Sequence, residues 1–70
     1  MAANPDAGAL TADEVALLQE VATGTKLATI ARQQGMSQRT LRRGLRGICV
    51  KLRVGRPIEA VVWAARRGVI

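Results

Sequence analysis

IARQQGMSQRTLRRGLRGICVKL, from Ile30 to Leu52, reads as two helices joined by a sharp turn. Ala31 stands four residues before Gly35, and Leu41 six residues after it. A helix-turn-helix needs this layout: a small residue where the helices touch, a glycine able to take positive φ at the turn, and an apolar residue that locks the second helix. Ser37 then offers an N-cap. At about 100° per residue, Leu41, Leu45, Ile48 and Leu52 fall on one stripe, with Cys49 at its margin. Arg39, Arg42, Arg43 and Arg46 fall on the other side. A helix with an apolar stripe and an arginine face, presented by a turn, suits a DNA major groove.

The rest of the chain supports that element. Seventy residues make one domain at most. So short a chain buries only about 60% of its unfolded surface, which leaves stability marginal and open to support from a partner. There is no Phe or Tyr and one Trp, Trp63, so the core is expected from Leu, Ile, Val and Ala. That composition favours closely packed helices.

Charge is distributed unevenly. From Val21 to Ile58 there is no acid, while Lys26, Arg32, Arg39, Arg42, Arg43, Arg46, Lys51, Arg53 and Arg56 all lie there. A field of one sign on a small domain implies a polyanionic partner, with nucleic acid ahead of an anionic membrane surface. A merely solvated face would interleave both signs.

Residues 1–9, MAANPDAGA, lack periodicity and read as a disordered tail or linker, with the folded domain over 10–70. Leu10 to Thr23 is the first helix. Thr11 and Glu14 form a capping box, and Leu10 with Val15 a hydrophobic staple. Val15, Leu18 and Ala22, with Leu17 and Val21, form its buried stripe, and Gly24 stops it. Thr25 is expected to cap a short second helix over Lys26 to Gln34, with Leu27, Ile30 and Ala31 inward. Gly35 ends it, and Met36 plugs the gap between helices.

The third helix runs from Ser37 to Leu52 and carries Gly44 and Gly47 off its apolar stripe. These glycines are either tolerated on a surface or allow close approach to a phosphate strand or another helix. Val54 to Arg56 is a loop, and Pro57 opens a fourth helix that ends before Gly68. Ala60, Val61, Ala64 and Gly68 are its expected inner face. Ile58 and Val62 fall outside that face, with Trp63 at its border. This strip is either a dimer contact or, for Trp63, a cover over the core edge. Val69 and Ile70 are expected to tuck back as a plug.

Catalytic chemistry finds little support. Without His there is no imidazole base, and one Cys without His excludes the usual zinc sets. The adjacent acids Asp13 and Glu14 are accounted for by capping, and no glycine-rich loop follows a strand. Nearby arginines could lower the Cys49 pKa, but its place beside the packed stripe favours an inert structural thiol. The chain is expected to be no enzyme and to need no cofactor or metal. A single Cys, no apolar run near the ~20 residues of a membrane span and no signal-peptide pattern point to a cytoplasmic, nucleoid-associated protein.

In this pattern the chain resembles the LuxR/GerE-type DNA-binding domain of bacterial transcription regulators. The likeness covers Leu10 to Ile70 without gaps. It rests on LTADE at Leu10, Gly24, IA at Ile30, GMSQRTL from Gly35, KL at Lys51 and EAVVWAARRGVI from Glu59. The resemblance implies an all-α, four-helix helix-turn-helix domain with its third helix in the major groove. It also implies that the fourth helix pairs two copies on a two-fold DNA site. Arg42, Arg43 and Arg46 match the family's base-reading positions, and Ser37, Thr40 and Lys51 its backbone-contacting ones. Lys26, Arg39 and Arg53 are further backbone candidates by charge. Gln34, Gly44, Arg53 and Thr29 depart from the family, which usually has Leu, His, Gly and an acid there.

The expected function is therefore sequence-specific binding of double-stranded DNA in transcription control. The expected form is a homodimer on DNA through Ile58, Val62 and Trp63. RNA polymerase is a further candidate partner, as is an upstream sensory or receiver domain if the chain is an excised fragment. The rival from another class is a helical adaptor that binds a sigma factor or polymerase. Such a surface needs apolar anchors, and the third helix offers only Val50 there. Membrane-surface binding ranks last, because it would take the apolar stripe out of the core.

Overall fold

The computed structural model describes residues 10–70. The tail or linker read over residues 1–9 lies outside the described residues. Those described form four helices and no strand: α1 (Ala12–Ala22), α2 (Leu27–Gln33), α3 (Gln38–Leu52) and α4 (Pro57–Arg66). α3 packs on each of the other three, and α1 also meets α2 and α4.

The start of α1 forms as its sequence dictates. The Glu14 N–H donates to Thr11 Oγ1 at 3.1 Å, and the Thr11 N–H donates back to Glu14 Oε1 at 2.9 Å. Two orphan amides at the helix start are thereby satisfied. Leu10 is buried, and Val15 packs on the same core. That core is aliphatic. Leu18, Ile30, Leu41 and Ile48 are its largest fully buried side chains, and Ala60 and Ala64 are fully buried on α4. Their small size lets α4 lie close. Met36, Val54, Val69 and Ile70 pack around it as partly buried residues.

Three expectations are corrected. Thr25 does not cap α2: Lys26 holds the N-cap position with no side-chain hydrogen bond. The Thr25 hydroxyl pairs instead with Thr23 Oγ1 at 3.0 Å. Thr23 already donates its single proton to the Glu20 carbonyl, so Thr25 is the donor in that pair. Ala22 is exposed, because α1 is near its end there and its buried contact runs through Leu17 and Leu18. Gly68 is also exposed, since it lies past the end of α4 at φ +70° and turns the chain back.

The helix ends share one device. After α2 the Gly35 N–H donates to the Arg32 carbonyl at 3.2 Å, and the Met36 N–H to the Ala31 carbonyl at 2.9 Å. Gly35 takes φ +67°. This pair of bonds closes a helix with a left-handed residue and brings the next, apolar residue back onto the helix. α3 ends the same way, with Arg53 N–H to Val50 and Val54 N–H to Cys49. Here the left-handed residue is Arg53, at φ 58° and ψ 43°. It is the one non-glycine with positive φ among the described residues. A side chain with a Cβ is strained in that region by roughly 1–2 kcal/mol. Arg53→Gly is therefore expected to stabilise the domain by about 0.5–1 kcal/mol. For a chain of this size the melting temperature should rise by a few degrees, to be read by thermal circular dichroism. A fall would show that the arginine side chain contributes more to the fold than its backbone strain removes.

Candidate nucleic-acid interface

α3 carries the chemistry, and its cap sets its direction. The Thr40 N–H donates to Ser37 Oγ at 3.1 Å, and the Ser37 hydroxyl donates to Thr40 Oγ1 at 3.0 Å. Ser37 thus spends its proton within the turn. Thr40 accepts it, and its own O–H donates to no acceptor among the described residues. No acid stands in the first turn of α3, so the positive end of its dipole is not neutralised there.

The two faces of α3 separate cleanly. Leu41, Leu45, Ile48, Cys49 and Leu52 are buried. Arg39, Arg42, Arg43 and Arg46 are exposed. Among the described residues none of these four arginines forms an ion pair, whereas Lys51 is paired with Glu14. Arg42 and Arg46 also border a groove of about 450 Å³ with Leu27, Cys49, Gly55 and Pro57, where α2, α3 and the start of α4 meet. Gly44 borders a second groove of about 400 Å³ on the other side, over Leu17, Leu41 and Ile48. A Cβ at Gly44 or Gly47 would meet nothing within 4 Å. Neither glycine is required by packing among the described residues.

Lys51 has an intramolecular partner that its sequence position did not announce. Its Nζ donates to Glu14 Oε1 at 2.7 Å and Oε2 at 3.0 Å. Glu14 therefore closes the capping box of α1 and holds the far end of α3. Thirty-seven residues separate the two, so no helical spacing could have revealed the pair. Lys26, at the N-cap of α2, and Arg53, at the end of α3, are exposed. Glu59 is a second residue whose role was missed: its Oε2 accepts from the Gly55 N–H at 2.8 Å and fixes the loop before α4. Its position in the first turn of α4, after Pro57, was the available signal.

On α4, Ile58 is 61% and Val62 43% exposed, and they lie one turn apart. Trp63 is half-buried against the core, with the Arg67 guanidinium 4.4 Å from its ring centroid. It covers the core edge rather than standing free with Ile58. Burial, reinforced by the charge of Glu59, pushes the Cys49 thiol up, away from the reactive thiolate.

No protein-family model, curated protein or solved structure matches the chain. No described helix is long and apolar enough to cross a membrane.

Burial pushes the Glu14 carboxyl up, but hydrogen bonds from Lys51 and Thr11 and the Lys51 charge outweigh it. The net effect holds Glu14 below its ordinary 4.5. A carboxyl lowered on folding stabilises the folded chain above its unfolded pKa. That contribution fades as pH falls through the folded value. The wild-type melting temperature should therefore drop on acidification from about pH 5.5 to 3. Glu14→Gln, which does not titrate, should start lower and drop less. Parallel acid profiles for the two proteins would remove Glu14 from the account of acid sensitivity.

Proposed function

We propose that this chain is a helix-turn-helix domain of the LuxR/GerE type that binds double-stranded DNA in transcription control. The observation that carries the reading is the face of α3 opposite its buried stripe: four exposed arginines with no carboxylate partner among the described residues. α2 and α3 act as the two helices and Gly35 as the turn. Arg42, Arg43 and Arg46 read bases, because a guanidinium fork matches the two acceptors on the major-groove edge of guanine. Ser37, Arg39, Thr40, Lys26 and Arg53 serve the strand backbone, with Thr40 donating its unspent O–H to a phosphate. Lys51 would reach a phosphate only by exchanging its Glu14 carboxylate for it.

The proposed assembly is a homodimer on DNA, paired through Ile58 and Val62 with Trp63 beside them, in the cytoplasm at the nucleoid. RNA polymerase and an upstream sensory or receiver domain are the other proposed partners. The adaptor reading is less well supported. Its binding face would need apolar anchors, and the exposed apolar residues of α4 lie apart in sequence from the arginine face of α3.

Binding should depend steeply on salt, because the arginines displace counterions condensed on the duplex. Among single-base operator variants, Arg42→Ala and Arg46→Ala should relax preference at particular base pairs, each by about 1–3 kcal/mol. Lys51→Ala should weaken all sequences by a smaller, uniform factor and also lower the melting temperature, since it leaves Glu14 unpaired. A salt-independent response would sink the nucleic-acid reading. Identical uniform losses for Arg42→Ala and Lys51→Ala would leave a DNA binder that does not read bases through these arginines.

Val62→Asp should weaken cooperative binding to a duplex with two half-sites and leave a single half-site nearly unaffected. Equal losses on both duplexes would argue against pairing through α4.

A further inference from the structure

Val50 is the part of the outward face of α3 that charge does not explain. It is 70% exposed, more than Ile58 or Val62, which lie on α4. The other large apolar residues of α3, Leu41, Leu45, Ile48 and Leu52, are buried. At about 100° per residue, Val50 stands opposite the middle of that stripe, one turn beyond Arg46 and two beyond Arg43. Nothing in the fold requires it there. A β-branched side chain on an exposed helix face loses rotamer freedom and gains no packing.

We infer that Val50 reads thymine, by seating against the 5-methyl group on the major-groove edge of the base. The inference rests on the DNA-binding reading above and deepens it. Charge selects the occupant of this face: Arg46 stands one turn before Val50, with Arg43 and Arg39 further back on the same side of α3, and a polyanionic groove complements them. Among the base edges that such a groove presents, the thymine methyl is the apolar one. A single isopropyl group at the end of an arginine-lined helix face fits a single methyl. It does not fit the clustered apolar pocket in which a protein partner buries an anchor. Arg46 and Val50 are about 6 Å apart along the helix axis. Successive bases rise about 3.4 Å. The thymine therefore lies within about two base pairs of the base that Arg46 reads.

The test begins with a duplex selected by the purified protein from a random pool. Each thymine is then replaced by deoxyuridine, which lacks only the methyl. Wild-type protein should lose roughly fourfold in affinity at one position per half-site. Val50→Ala should bind the thymine duplex correspondingly less well and show no further loss on the uracil substitution. Alanine at this exposed helical position favours the fold, and a melting curve verifies it. Matching uracil profiles for wild type and Val50→Ala would overturn the thymine assignment while DNA binding stands. A change in self-association with no change in the uracil profile would overturn it in favour of a protein contact. Failure to bind any duplex would overturn the DNA-binding reading itself.

Discussion

Burial of Leu41, Leu45, Ile48 and Leu52 holds α3 against three other helices, and the rest of the molecule depends on it. α3 is a poor helix in isolation. Gly44 and Gly47 each disfavour it by about 1 kcal/mol relative to alanine. Arg39 with Arg43 and Arg42 with Arg46 set like charges one turn apart, which adds a few tenths of a kcal/mol each. A short helix with such defects stays helical only because its apolar stripe is covered. Covering that stripe has an unavoidable consequence: every arginine must point outward. Fold stability and the cationic surface are thus one constraint seen from two sides.

The supporting elements are economical. α1 contributes Leu17 and Leu18 to the core, and its first turn also supplies the carboxylate that holds Lys51. α4 contributes Ala60 and Ala64, whose small side chains admit a close helix contact, and leaves Ile58 and Val62 outside. The turns are fixed by backbone chemistry. Met36, Val54 and Val69 each follow a left-handed residue and return to the core, so every helix end after α1 places an apolar plug. Arg53 stands out in this scheme, since it occupies a left-handed position of the kind that Gly35 and Gly68 fill without strain after α2 and α4.

Much of this was legible in the sequence, for physical reasons that differ from place to place. The capping box at Thr11 and Glu14 and the N-cap at Ser37 are local hydrogen-bond patterns with fixed spacing, so a sequence displays them directly. The α3 stripe is periodic and equally plain. Thr25 misled because Thr and Ser near a helix start look alike in sequence whichever of them the backbone selects; here its hydroxyl went to Thr23. Ala22 misled because a wheel assumes that a helix is covered along its full length. The Lys51–Glu14 pair was illegible because no local rule links residues so distant in the chain. The candidate DNA face lies between these cases: its charge and its orientation could be read, but the intramolecular commitment of Lys51 could not.

That commitment alters how the surface would meet a polyanion. Arg39, Arg42, Arg43 and Arg46 have no carboxylate to give up among the described residues, so a phosphate or a base edge meets them without an exchange. Their mutual repulsion, raised by folding, would be relieved by the same ligand. Lys51 differs, because contact with a phosphate would break its bond to Glu14 and leave that carboxylate with the Thr11 N–H. Exposed ion pairs are worth about 1 kcal/mol or less, so the exchange is feasible in energy. It would nonetheless slacken the one polar tie recorded between α1 and α3. A ligand that binds only the folded chain stabilises it in proportion to its concentration over Kd. For this domain a polyanion's gain would come chiefly through the arginines, whose charges the fold gathers on one face of α3 without a carboxylate partner among the described residues.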